Sequence, residues 1–443
     1  MDSGDRKVVW KGIDGGDSEG HRSMIRSLLD SLILKENLKD YGVADGYSGL
    51  AITFGYANRV FPNSGYDTLV YKYLKASVQM IESSSVPEPL GSFSGLTGVA
   101  IAATYAGSYK GTGNYSNLIS SLDTLIFKGS NDFAAKLAES NSGIARSYFD
   151  VIAGATGIGA YLLTKDSEEA HEALEKILGS ISALAMRNKD LLYLYTPNKS
   201  LFAWEKPLFS GGVVDCGMAH GLSGILSLLS LTYERGVEVD GSKEAIMTIA
   251  DWLIKRAIVS EGELEWPDIV PVEILARDKR EGNLPLEVEM KLSNSYTKAR
   301  VAWCYGNPGT SRALFLAGRA LKMAKYTDAA MSGMKAAYRR IEANWDELKS
   351  PTFCHGIAGV LEITLRFLND TGQVLFKKKA EKLLNRLYSM YDQEAPFHYK
   401  NIDFNKKLQD DPGFLEGTAG IAATLMAAES DVDPLWDRVF LIS

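Results

Sequence analysis

Cysteine is scarce, with three residues in 443. Three thiols cannot build a disulfide framework, so a small secreted scaffold is excluded. Positive charge is not in excess: 48 Lys and Arg face 55 Asp and Glu, for a net charge of -7. The longest basic run is Lys377-Lys378-Lys379, so no nucleic-acid partner is expected. No segment carries the roughly 20 uninterrupted apolar residues of a membrane span. Met1-Asp2-Ser3-Gly4-Asp5-Arg6-Lys7 lacks the apolar stretch of a signal peptide. These absences point to a reducing, cytoplasmic setting in which thiols stay free. What is present is apolar material for a large core, 46% of residues against 23% charged.

Two of the three cysteines lie in near-matching settings, Trp303-Cys304-Tyr305-Gly306 and Phe353-Cys354-His355-Gly356. Each is followed by a second glycine and an apolar run. Cys304, Cys354 and His355 supply two thiolates and an imidazole, three protein ligands for zinc. A fourth tetrahedral position is then left for water or substrate, as in catalytic rather than structural sites. The competing reading is two buried, inert thiols.

Gly-x-x-Gly recurs seven times, starting at Gly46, Gly95, Gly154, Gly221, Gly306, Gly356 and Gly417. Each copy opens a stretch rich in Ala, Leu and Ile that is apolar nearly all round, which predicts a buried helix. The glycines permit a tight entry and are expected to leave N–H groups open at the helix start. Amphipathic stretches lie between, at 20–38, 328–348 and 376–388. The pattern predicts an all-α chain of seven inner and seven outer helices. An α/α toroid buries every inner helix and leaves no open end. Length alone allows two or three domains, but the repeat argues for a single domain over 1–443. Strand signals are weak and local.

The spacing between copies widens twice, and both wide intervals hold non-helical sequence. Insertions near 165–215 and 260–298 are expected, either as a cap over the ring's mouth or as surface loops.

The seven helix starts, Trp-Cys-Tyr-Gly at 303–306, Cys-His-Gly at 354–356 and Ala219-His220-Gly221 together resemble the LanC family, the lanthionine cyclases of lantibiotic and lanthipeptide biosynthesis. The resemblance runs from about Gly46 to Gly420. It implies an α/α toroid with one zinc ion per chain and addition of a peptide cysteine thiol to dehydroalanine or dehydrobutyrine, closing a thioether ring. The chain has no room for a dehydratase, so it resembles the free-standing cyclase. The implied partners are a dehydrated precursor peptide, a separate dehydratase and a peptide transporter, in a membrane-associated complex.

Zinc would hold the substrate sulfur as thiolate, the nucleophilic form. After attack on the β-carbon, the α-carbon needs a proton and the enolate oxygen a partner. His220, directly before the fourth glycine pair, is the candidate acid, and a structural histidine is the alternative. Asp150 matches the family's aspartate and would orient His220, unless it only caps a helix. Arg300 and Tyr305 also match family positions. Arg300 would steady the enolate or pair with an acid. Tyr305 would donate a hydrogen bond. Asp215 and Trp303 line the site or serve packing. Cys216 lies one turn before His220 if the segment is helical, and reads as a small buried hydrophobe. His21, His171 and His398 read as surface or structural residues.

Three other readings stay open. One is a zinc-dependent protein prenyltransferase subunit, disfavoured by the adjacent Cys-His pair. Another is a eukaryotic-type LanC-like protein acting as a glutathione-linked enzyme or binding protein. The last is a non-catalytic scaffold of a synthetase complex.

Overall fold

A computed structural model describes residues 9–13, 19–33, 38–108, 115–187, 193–277, 299–402 and 407–443. The chain is mostly helical. Helix α1 (Glu19–Ser31) precedes the first glycine pair. Then follow α2 (Tyr47–Val60), α3 (Tyr66–Ser83), α4 (Leu96–Gly107) and α5 (Ser116–Ala138). Next come α6 (Ala155–Leu162), α7 (Glu168–Arg187), α8 (Leu222–Glu234), α9 (Ser242–Lys255) and the short α10 (Val272–Arg277). The remainder holds α11 (Asn307–Leu321), α12 (Ala324–Ala343), α13 (Ile357–Thr371), α14 (Val374–Ser389) and α15 (Thr418–Ala428).

All seven glycine pairs open a helix, as their spacing predicts. Helices α2, α4, α6, α8, α11, α13 and α15 each begin one residue after the first glycine. Helices α6 and α15 are buried along most or all of their length. The helices between, such as α7 and α14, bury one stripe and expose the other. Residues 34–37 of the stretch predicted from Gly20 to Leu38 lie outside the described residues. The stretch 328–348 is broken at Asn344, where α12 gives way to a 3-10 turn at Trp345–Leu348.

One expectation about the glycine pairs is corrected. In six of the seven copies the first-turn N–H groups are not open, because the loop before the pair folds back over the helix start. Tyr47 N–H donates to Asp40 O (3.2 Å), Leu96 to Pro89 O (2.9 Å), Asn307 to Arg300 O (3.1 Å), Ile357 to Ser350 O (2.9 Å) and Thr418 to Asp411 O (2.9 Å). This backbone capping replaces the side-chain caps usual at helix starts, and it explains the glycines. A Cβ on Gly306 would overlap the Arg300 carbonyl, and its φ of 85° is costly for other residues.

The chain forms two compact units. The first takes in Met1–Ser83, Ala102–Tyr115 and Leu348–Asp437. Here α15 packs on α1, α2 and α13. Trp436 meets Phe353, Phe414 and Tyr56 edge-on, and Arg366 stacks on Trp10. A hairpin of β5 (Lys400–Ile402) and β6 (Leu408–Asp410) lies in the same unit.

The second unit takes in Ser84–Ile101, Ser116–Glu347 and Arg438–Ser443. Its α8 packs on α6, α9 and α11. Strands β1 (Val213–Asp215) and β4 (Ile269–Pro271) pair antiparallel, with Asp215 opposite Ile269. This ladder joins the two wide intervals of the repeat, and a small apolar cluster of Leu201, Phe209, Val213 and Ile269 packs there. Strands β2 (Ile258–Ser260) and β3 (Glu263–Glu265) form a tight hairpin through Glu261 and Gly262, both at positive φ. The rest of the second interval, 278–298, and residues 188–192 of the first lie outside the described residues.

Candidate active site

The loops before the glycine pairs are tied to one another by backbone bonds. In the second unit Phe93 N–H donates to Ile152 O (3.2 Å), Val151 to Ala219 O (3.0 Å) and Ala219 to Cys304 O (3.2 Å). In the first, Cys354 N–H donates to Leu415 O (3.0 Å) and Leu415 to Ala44 O (3.0 Å). Within each unit, residues at matching positions of successive repeats therefore become neighbours. The position just before the first glycine holds Asp45, Ser94, Ala153, His220, Tyr305, His355 and Glu416.

In the second unit His220 and Asp150 meet. His220 Nδ1 lies 2.6 Å from Asp150 Oδ2. The other carboxylate oxygen accepts the N–H groups of Ala153 (2.8 Å) and Gly154 (2.9 Å). Asp150 is therefore not the N-cap of α6, which is Gly154; one of its oxygens binds the turn before the helix and the other faces the imidazole. Asp150 is buried, which keeps this bond out of competition with water.

Tyr305 lies beside His220, with ring centroids 6.3 Å apart. Its hydroxyl donates to Asp215 Oδ1 at 3.0 Å. Burial, then the Asp215 charge, pushes the phenol's pKa well above its ordinary value. Arg300 Nε pairs with Asp268 Oδ2 at 2.7 Å, and its guanidinium sits 5.5 Å from the Tyr305 ring centroid. Burial raises Asp268 to about 6, against the pull of Arg300. Cys304 is buried in this unit. Trp303 serves packing: its indole donates to Phe440 O (3.1 Å) and its ring meets Phe440 edge-on.

Cys216 follows β1 directly and is not helical; its N–H donates to Asp268 O (2.9 Å). Burial, then Asp215 and Asp268, pushes its thiol well up, so it stays protonated. His21 stacks on Tyr388 and bonds Glu429 (2.9 Å), while His398 lies 3.2 Å from Ser27 Oγ. Both are structural.

In the first unit Cys354, His355 and Glu416 come together. Their ligand atoms all lie within 4.8 Å of one another, so this group could hold a metal ion. His355 Nδ1 is 3.6 Å from Glu416 Oε1. Thiolate, imidazole and carboxylate are donor types that suit zinc. Carboxylates crowd this group. Burial raises Asp45 to about 6, helped by Asp411, Glu416 and Asp40. Burial also raises Asp411, and it raises Glu416 with help from Asp411. Glu416 and Asp45 were missed in the sequence, although they occupy the same pre-glycine position as His220 and His355.

The profile of a family described as lanthionine synthetase C-like protein matches residues 38–441. The chain belongs to the lanthionine synthetase C-like family. Among relatives of this family, the nisin biosynthesis protein NisC of Lactococcus lactis subsp. lactis is 25% identical over 357 residues, covering 79% of this chain and 77% of that protein. A solved structure of nisin cyclase superposes with a TM-score of 0.77 at 21% identity, covering 96% of this chain and 97% of the other. The fold is accordingly the α/α toroid of that cyclase, as the repeat predicts. No helix among the described residues is long and apolar enough to cross a membrane.

Proposed function

We propose that this chain is a lanthionine cyclase. It adds the cysteine thiol of a dehydrated precursor peptide to dehydroalanine or dehydrobutyrine and closes a thioether ring. Family membership supports the reaction class. The observation that carries the assignment of roles is the Ala219–Cys304 backbone bond, which sets His220 beside Cys304 and Tyr305.

Cys304, Cys354 and His355 are the proposed zinc ligands; the Cys354–His355–Glu416 group supports Cys354 and His355 and does not include Cys304. Bound zinc would lower the pKa of a substrate thiol and supply thiolate at neutral pH. Sulfur attack on the β-carbon moves the C=C electrons to the α-carbon and its carbonyl. Arg300, half-exposed at 52%, meets the enolate oxygen. His220 then protonates the α-carbon. Its Nδ1 is engaged by Asp150, so Nε2 is the atom that delivers the proton. The buried Asp150 carboxylate steadies the imidazolium before transfer and fixes the ring's direction afterwards.

Insertion residues near 198–209, joined to β1 and β4 through their apolar cluster, are proposed to cap this chemistry. A separate dehydratase and a transporter are the proposed partners. The test is ring closure on a dehydrated precursor peptide, read by alkylating the remaining thiols, because addition leaves the mass unchanged. Faster thiol loss with the protein than without is expected. Equal rates would end the cyclase reading.

A further inference from the structure

A phenol has one proton to donate, and Tyr305 donates it to Asp215 at 3.0 Å. Asp215 is almost fully buried, and its second oxygen accepts no hydrogen bond from the described residues. That oxygen faces Arg146 Nε at 3.5 Å. Arg146 in turn reaches both oxygens of Glu205, at 3.1 and 3.3 Å. Glu205 is itself buried and accepts the Phe202 N–H at 3.0 Å, while the Arg146 guanidinium sits 5.1 Å from the Phe202 ring centroid. Phe202 and Glu205 belong to the stretch inserted between the third and fourth glycine pairs. The line Glu205–Arg146–Asp215–Tyr305 therefore runs from that insertion to the pre-glycine position next to His220.

Each link is a charged or charge-assisted contact out of water, where such contacts hold geometry tightly. A parallel reinforces the point. His220 is oriented by Asp150 from the loop one repeat earlier, and Tyr305 is oriented by Asp215 from the loop one repeat earlier. Tyr305 cannot serve as the donor that its motif suggests. With its proton engaged by Asp215, the phenol oxygen has only lone pairs left to offer another partner.

We propose that Asp215 is a positioning residue for Tyr305, held in place by Glu205 through Arg146, so that Tyr305 accepts an N–H from the substrate peptide rather than donating to it. The proposal deepens the cyclase reading and rests on it for the identity of the substrate.

Two measurements test it. With 3-fluorotyrosine at position 305, the fluorine resonance should shift in Asp215→Asn and, more weakly, in the remote Glu205→Gln. This readout needs no activity. In ring closure, each substitution should lower kcat about tenfold with KM nearly unchanged, and each effect should vanish in a Tyr305→Phe background. If Asp215→Asn does not fold, Glu205→Gln and Arg146→Lys carry the same cycle. An unmoved fluorine resonance in folded Glu205→Gln overturns the proposal. So does the same tenfold loss in the Tyr305→Phe background, which would mark a merely structural role. A wild type without cyclase activity would fell the functional reading alone, leaving the fluorine shifts to judge the positioning.

Discussion

The candidate residues of the second unit and those of the first differ in how their charges are met. In the second, each carboxylate has a partner: Asp150 with His220, Asp215 with Arg146 and Tyr305, Asp268 with Arg300. In the first, burial raises Asp45, Asp411 and Glu416, Asp411 adds to the rise of the other two, and Glu416 joins a thiol and an imidazole. The one region is electrically complete and holds its side chains in fixed directions. In the other, no Lys or Arg among the described residues pairs with Asp45, Asp411 or Glu416. A divalent cation at Cys354 and His355 would supply positive charge there. Preorganised pairs suit proton handling, and an unfinished anionic pocket suits metal capture.

The sharpest way to break this contrast is Cys354→Ala. Metal analysis should fall from about one equivalent per chain to almost none. Full retention would show that the anionic region is not the metal's seat. His220→Ala should then keep the metal and the fold yet slow ring closure by about 10²–10⁴. Metal loss in that variant would place His220 among the ligands and erase the division between the regions. Asp150→Asn should slow closure less, because its one amide oxygen can still meet either the Ala153 and Gly154 N–H groups or the imidazole.

Glu416→Gln should weaken metal affinity by about 10–100-fold, read by competition with a chelator, since Glu416 faces His355. An unchanged affinity would make Glu416 a bystander. The smallest effect concerns Asp268. Its folded pKa is raised to about 6 from 3.8, so the folded state holds the proton longer than the unfolded chain. Stability should therefore fall as pH rises from about 4 to 6 and stay level above, by an amount of order 3 kcal/mol. Denaturant midpoints of Asp268→Asn should lack this component. A wild type and variant with parallel pH profiles would mean that Arg300 fully compensates the burial.

The fold was legible because its signal is local and repeated. Seven glycine pairs start seven buried helices, and period alone separates these from the amphipathic helices between them. His220, Asp150, Tyr305 and His355 were legible because each lies beside a glycine pair or in a recognisable motif. Arg146, Glu205 and Asp268 were not. Asp268 reaches the site beside the pairing of β1 with β4, Glu205 from an insertion with no periodicity and Arg146 from a 3-10 turn before the third glycine pair. Glu416 and Asp45 look like ordinary loop acids. Only their position before the glycine, compared across repeats, sets them apart. The capping of helix starts by distant carbonyls was also invisible, since a backbone acceptor has no residue type.

The bonds that tie one pre-glycine loop to the next run from main chain to main chain. No side chain at the position before each glycine takes part in them. Within each unit such positions therefore behave like slots in a rack, filled by Ser, Ala, His and Tyr in the second unit and by Asp, His and Glu in the first. A descendant of this scaffold could exchange the occupant of a slot, and with it the reaction, while the frame that holds the slot stays as it was.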